Sequence, residues 1–258
     1  MKATVCELRN DPAGLEADWQ KLAGHVQAEG SEFVLLPEMP FHPWLAASEA
    51  VSVSAWEESV KAHEAWIAGR LPDLIPAVVG GTRPVIVDDR RLNEAFLWDK
   101  QGGLHGIHFK YYLPNEEGFW EATWYEQGKK DFSVTEAAHI KLGYLICTEL
   151  WFNEHARDYG KAGAHIILCP RATPPSTVDK WIAGGRVVSV VSGAYSLSSN
   201  FGGVGAGKTE WGGGGWIIEP EEGVVLGITT KEQPFLTLDL DVSAAGNAKK
   251  TYPRYVKL

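Results

Sequence analysis

The sequence is short of cysteine, of positive charge and of long apolar runs, and each shortage closes off a class of protein. Only Cys6, Cys147 and Cys169 occur in 258 residues. Three thiols cannot pair fully, and they are too few and too far apart for a CxxC-type zinc site. Neither a disulfide scaffold nor a structural metal is expected, and a reducing cytoplasm fits this usage. No stretch approaches the ~18 apolar residues that span a bilayer, and Glu7, Arg9 and Asp11 interrupt the N-terminal run too early for a secretion signal. Lys and Arg number 24 against 33 Asp and Glu, a formal net charge of -9. That balance argues against nucleic acid and against anionic membranes as partners, because both need basic surface. Repeats of fixed period, low-complexity tracts and linkers are also missing. Apolar residues make up 45% and charged residues 22%, which is ordinary for a globular protein with one large core. The expectation is a cytoplasmic protein whose residues 1–258 form one domain.

What is present is an alternation of short apolar runs with helical stripes. Residues 2–8 read as a buried strand. Over 12–29, Leu15, Trp19, Leu22 and Val26 recur three or four apart, which predicts a helix. Residues 31–38 read as a second strand and 55–75 as a helix with Pro72 near its end. AVVGG, PVIVDD and EAFLWDK read as three successive strands, broken by Gly, Pro and Asp. Residues 140–147 read as a strand ending at Cys147, followed by a helix over 149–163, a strand over 164–172 and a helix around 176–192. The AYSLSSN segment comes next, then WIIEPEEGVVLGI as a hairpin and PFLTLDLDV as a closing strand. This order predicts a layered α/β fold.

Three apolar runs end on a reactive side chain: FVLLPE at Glu38, GIHFK at Lys110 and GYLIC at Cys147. Active sites of α/β proteins form where strand ends meet at one sheet edge. Taken singly, each has a bland reading as a solvated Glu or Lys, or as a cysteine packed like a small hydrophobe. In context they say more. The PE at 37–38, KxxLPxxxxxxE over 110–121 and the strand-borne Cys147 resemble the signatures of the nitrilase superfamily of carbon-nitrogen hydrolases. The segment KYYLPNEEGFWEATWYEQG is similar to those of carbamoyl-amide hydrolases and of the glutaminase domains of NAD synthetases. The resemblance covers nearly the whole chain. It implies a four-layer α-β-β-α sandwich and a Glu–Lys–Cys triad. It also implies hydrolysis of a primary carboxamide or N-carbamoyl group with release of ammonia, without metal or cofactor, in a homodimer or higher homo-oligomer.

The chemistry suits these residue types. A thiol of pKa ~8.5 needs a base or a cation beside it to attack at neutral pH. Glu38 would take the thiol proton and later hand it to the departing nitrogen. Lys110 would favour the thiolate and stabilise the oxyanion, with the backbone N–H of Thr148 as second donor. The resemblance implies a further glutamate on the lysine, for which Glu121 is the choice and Glu117, in a Glu-Gly pair, the runner-up. Phe41, His42, Trp44, Phe119, Trp120, Trp124 and Trp151 lie near the motifs, and some would line an aromatic acyl pocket while others pack the core. Arg171 would either hold a substrate carboxylate through a bidentate pair or serve as a structural arginine.

Rival readings come from other classes. True nitrilases usually carry Trp-Glu after the cysteine and a longer C-terminal tail, whereas here Thr148-Glu149-Leu150-Trp151 follow, so nitrile hydrolysis is the less favoured activity. GGVGAGKT (202–209) matches the phosphate-loop pattern, but EWGGGG after it makes a poor helix. HGIH (105–108) places its histidines three apart, on opposite faces of a strand, where one metal ion is out of joint reach. An inactive scaffold subunit is the remaining alternative.

Overall fold

A computed structural model describes residues 1–256. Two β-sheets lie face to face between layers of helices. The first sheet is built from β1 (Lys2–Leu8), β2 (Phe33–Leu35), β3 (Val78–Val87), β4 (Arg90–Asp99) and β5 (Gly103–Phe109). The second holds β6 (Thr135–Ala137), β7 (Ile140–Tyr144), β8 (Ile166–Pro170) and β9 (Tyr195–Val204), extended by β10 (Glu210–Gly212), β11 (Trp216–Ile218) and β12 (Val225–Ile228). The last strand, β13 (Phe235–Asp239), returns to pair antiparallel with β1. The sheets are joined where the end of β1 pairs with β9, Glu7 opposite Asn200 and Leu8 opposite Phe201.

Strand periodicity explains the layering. Side chains alternate across a strand, so a continuously apolar run serves two cores at once. Ala3, Val5, Phe33, Leu35, Ala95 and Leu97 face the core between the sheets, with Leu142, Tyr144 and Ile166. Their neighbours Cys6, Leu8, Val34, Leu36, Phe96 and Trp98 face the opposite way, under the helices. Those helices are α1 (Pro12–Glu29) and α2 (Val53–Arg70). The first is capped by the Asp11 carboxylate, which accepts from Gly14 N, and ends at Gly30 with φ 65°, the left-handed cap that glycine favours. It buries Leu15, Trp19, Leu22 and Val26, the predicted stripe. After the short α3 (Glu121–Trp124), the second sheet is covered by α4 (Asn153–Lys161) and α5 (Val178–Ser192), and α6 (Val242–Ala248) follows β13. Among the described residues no helix is long and apolar enough to cross a membrane.

Several boundaries differ from the sequence reading. AVVGG and PVIVDD form one strand, β3, running through Pro84 opposite Asn93 of β4. The pairing of its neighbours carries it past the proline, which lacks only its own N–H. The strand before Cys147 stops at Tyr144, and Cys147–Trp151 form a 3-10 turn ahead of α4. The helix from Val53 stops at Arg70, and Leu71–Leu74 continue as a 3-10 turn containing Pro72. The GGVGAGKT segment runs from the end of β9 through a turn at Ala206–Lys208 into β10. A phosphate loop opens a helix there, and this segment opens a strand. His105 is exposed and His108 buried, as expected of residues on opposite faces.

One close approach constrains the strand that leads to Cys147. A Cβ on Gly143 would sit 2.7 Å from the Tyr159 ring, which is fixed by donation from its hydroxyl to Tyr144 O at 2.8 Å. Gly143→Ala is expected to cost about 1–3 kcal/mol of overpacking and to lower the thermal midpoint by roughly 3–10 °C. An unchanged midpoint in a calorimetric scan would show that the strand yields freely.

Candidate active site

The fold delivers three strand ends to one edge. β2 is parallel to β1 and β3, and two antiparallel steps through β4 bring β5 back to the direction of β2. Glu38 therefore follows β2, and Lys110 follows β5, at the same end of the first sheet. Glu38 N donates to Arg171 O across the sandwich at 3.2 Å, and Lys110 N donates to Asn93 O at 2.9 Å. Cys147 enters from the second sheet on a sharp strand-to-turn corner. Its φ is 47°, a left-handed conformation that costs a residue with a Cβ on the order of 1–3 kcal/mol. Such a corner pushes the side chain off the sheet edge toward the facing residues.

At that edge, Lys110 Nζ lies 2.7 Å from Glu38 Oε1 and 2.5 Å from Glu121 Oε2, and the three side chains are 0–1% exposed. Asn93 Nδ2 donates to Glu38 Oε1 at 2.8 Å, and the Tyr125 hydroxyl donates to Glu121 Oε2. Glu121, not Glu117, reaches the lysine; Glu117 is exposed on the preceding loop. Asn93 and Tyr125 escaped the sequence reading. Tyr125 stands one helical turn beyond Glu121, a spacing that could have suggested the contact, whereas Asn93 in mid-sequence of a strand carried no such signal.

Three buried oxygens of this cluster, Glu38 Oε2, Glu121 Oε1 and Asn93 Oδ1, make no well-formed hydrogen bond among the described residues. Burial pushes the Glu38 carboxyl up to about 7, with repulsion from Glu121 adding to it, and the lowering effects of Lys110 and of contact with Cys147 fall short of cancelling it. Burial works against the Lys110 charge too, but Glu121 and Glu38 overcome it and hold the ammonium well above its ordinary range. Burial and the Glu38 charge raise the Cys147 thiol well above its usual value despite Lys110. The resting pair is thus a neutral thiol beside a carboxylate poised near neutrality. All three cysteines are unpaired and buried, and Cys147 borders a cavity of about 330 Å³.

That cavity is walled by Glu121, Phe119, Thr148, Trp151, Lys180 and Trp181, among others. Of the aromatic residues flagged in the sequence, Phe119 and Trp151 reach it. Trp124 packs apart, buried, with its indole N–H donating to Ser48 O, and Phe41 stacks on Trp66 under the first sheet. Trp181 and Lys180 were not anticipated, since the helix that carries them gives no sign in sequence of which side meets the site. Lys180 is exposed, its ammonium 5.5 Å above the Trp151 ring. Arg171 lies outside this wall. Its guanidinium donates to Ser198 Oγ at 2.7 Å, Thr173 Oγ1 at 2.8 Å and Gly214 O at 2.8 Å and stacks 4.3 Å over Trp216. Between the two alternatives for Arg171, the geometry is that of the structural one. Among the described residues no cluster of His, Cys, Asp and Glu is arranged to hold a metal ion.

A layered α/β sandwich with an acid–lysine–thiol edge defines a class, and comparison with known proteins gives it a family. Residues 2–250 match the carbon-nitrogen hydrolase family model, and the chain belongs to that family. The glutamine-dependent NAD(+) synthetase of Rhodobacter capsulatus is 24% identical over 251 residues, 95% of this chain and 44% of that protein. The chloroplastic omega-amidase of Arabidopsis thaliana is 26% identical over 248 residues, 91% of this chain and 65% of that protein. The chain thus spans less than two thirds of either relative. Among solved structures, an amidase of the nitrilase superfamily from Nesterenkonia AN1 superposes with a TM-score of 0.79 at 20% identity, covering 96% of this chain and 94% of that one. The expected superfamily fold is therefore the observed one.

The setting of Arg171 yields a test of its own. Arg171→Ala would leave the buried Gly214 O without its donor, at about 1–3 kcal/mol, so the thermal midpoint is expected to fall by roughly 2–12 °C. Any effect on KM should be alike for neutral and carboxylate-bearing amides; a selective rise for the latter, at an unchanged midpoint, would return Arg171 to the substrate.

Proposed function

We propose that the protein hydrolyses a small linear carboxamide or N-carbamoyl compound through a Cys147 acyl-enzyme, with Glu38 as acid–base and Lys110 as electrophilic support. The observation that carries this reading is the Lys110 ammonium held between Glu38 and Glu121, with Glu121 and Cys147 both lining one cavity. As Cys147 Sγ attacks the carbonyl carbon, Glu38 takes the thiol proton, and the π pair moves to the carbonyl oxygen. Two of the three Lys110 N–H groups serve the carboxylates, which leaves one for that oxyanion, with Thr148 N–H as partner. Collapse expels nitrogen as ammonia with the proton carried by Glu38, leaving a thioester. Water then attacks, Glu38 takes its proton, and departure of the thiolate, reprotonated by Glu38, releases the acid. An N-carbamoyl substrate gives a carbamic acid that loses carbon dioxide. Glu121 keeps Lys110 charged and, through its unpaired Oε1, offers an acceptor to the substrate nitrogen.

A carboxylate at the far end of the substrate is favoured over a neutral one, because Lys180 supplies a cation at the cavity wall, braced over Trp151. Omega-amides of dicarboxylic acids and N-carbamoyl amino acids meet that description. Glu116, also on the wall, would flank an amino group on the same substrate.

The decisive experiment is ammonia release from neutral amides, omega-amides, N-carbamoyl amino acids, N-carbamoyl amines and nitriles, with Cys147→Ala as control. Release from an amide or carbamoyl compound should vanish in the control, and activity that survives Cys147→Ala would end the thiol mechanism. Because Glu38 acts as base only when ionised and its carboxyl is pushed up to about 7, kcat/KM should climb as pH rises through about 7 and then level off. A climb that instead follows an ordinary carboxylate, complete by about pH 5, would contradict the poised base. Lys180→Ala is expected to raise KM for carboxylate-bearing substrates by roughly 3–10-fold, the scale of one charge-assisted contact, and to leave neutral amides unchanged. Equal effects on both would remove the carboxylate from the proposal.

A further inference from the structure

Lys110 and Cys147 belong to different sheets, and no bond described so far fixes one against the other. Glu149 supplies it. Its side chain is completely buried, two residues past the proposed nucleophile, and it faces the segment that carries the lysine. Glu149 Oε1 accepts from Tyr111 N at 2.7 Å, and Oε2 accepts from Ile146 N at 2.8 Å. His108 Nε2 approaches the two oxygens at 3.0 and 2.9 Å. One carboxylate therefore grips residues on both sides of Lys110 and the residue just before Cys147.

The protonation of His108 follows from its partners. Its Nδ1 lies 2.9 Å from Asp131 O, and a carbonyl oxygen can only accept. Nε2 meets a carboxylate whose oxygens already take two backbone N–H groups. Both ring nitrogens face acceptors, so the ring carries two protons and is an imidazolium. Burial opposes that charge, but Glu149 and the bond to Asp131 outweigh it. The pair is a closed ion pair with each polar atom engaged, the condition under which buried charges are tolerated.

We infer that Glu149, held by His108, is a positioning residue: a carboxylate clamp between the sheets that sets the separation of Lys110 from Cys147. The inference rests on the thiol reading of the site. Glutamine at 149 would present an amide NH2 where acceptors are required, so at least one of the Tyr111 and Ile146 bonds must break.

The test is the second-order rate of iodoacetamide alkylation at each cysteine, read by peptide mass spectrometry, alongside kcat and KM on whichever amide the wild type turns over. Glu149→Gln should remain folded by circular dichroism, with kcat and the Cys147 alkylation rate reduced about 100-fold and KM within about 3-fold. A loss due only to local loosening of the pocket would appear in KM, and it would overturn the clamp. Wild-type rates in Glu149→Gln would overturn it too. Should that variant not fold, His108→Ala decides, because it keeps the carboxylate and its two backbone bonds: a roughly 10-fold fall in kcat and alkylation at unchanged KM supports the clamp, and wild-type values overturn it. If wild-type Cys147 reacts no faster than Cys6 and Cys169, the thiol reading itself fails and takes the inference with it.

Discussion

A lysine ammonium buried between two carboxylates is the constraint around which the rest of this molecule is arranged. Each of the three groups would be strongly disfavoured alone in the interior. Together they leave an excess of one negative charge when all are ionised, and the system relieves it by making one proton easy to hold. Glu38, in contact with the thiol and pushed up to about 7, is where that proton is most readily taken up and given back. Asn93 and Tyr125 satisfy one oxygen on either side, and Glu121, which keeps an oxygen without a partner, lines the cavity beside Cys147. The same imbalance that makes the cluster costly makes it a proton carrier.

The sandwich is the means of holding such a cluster. Its two sheets contribute opposing members: the first carries Glu38 and Lys110, the second Cys147. Ties across the gap, from Glu38 N to Arg171 O and from Glu149 to Tyr111 N, run beside the reactive atoms and are independent of the apolar packing deeper between the sheets. Arg171 belongs to this scaffold. Its guanidinium, stacked on Trp216 and bonded to Gly214 O, anchors the glycine run over 212–215, so an arginine that suggested substrate binding in the sequence holds backbone at the second sheet's end.

Legibility in the sequence followed the range of the interactions concerned. The α1 stripe of Leu15, Trp19, Leu22 and Val26 could be read because helical burial is set by neighbours three and four residues away. The hairpin of β11 and β12 could be read because its turn is local. The β3 strand reads as two in sequence, since Gly80, Gly81 and Pro84 break local propensity while pairing with β2 and β4 overrides it. The end of the strand before Cys147 was placed too late for a related reason. Its apolar run continues, but the backbone turns at a left-handed cysteine that only the surrounding contacts can hold.

By itself, the sequence determined the layered α/β class and marked Glu38, Lys110 and Cys147 as reactive side chains closing apolar runs, because these reside in short patterns of residue type and spacing; the choice of Glu121 over Glu117 came from the family resemblance. The tertiary structure alone decided that Asn93 and Tyr125 complete the charge cluster, that Lys180 and Trp181 face the cavity while Trp124 does not, and that Glu149 and His108 join the sheets. Those contacts span from 4 to 55 residues of chain. Apart from the one-turn spacing of Glu121 and Tyr125, their partners are selected by where strands and helices pack, which no local pattern encodes.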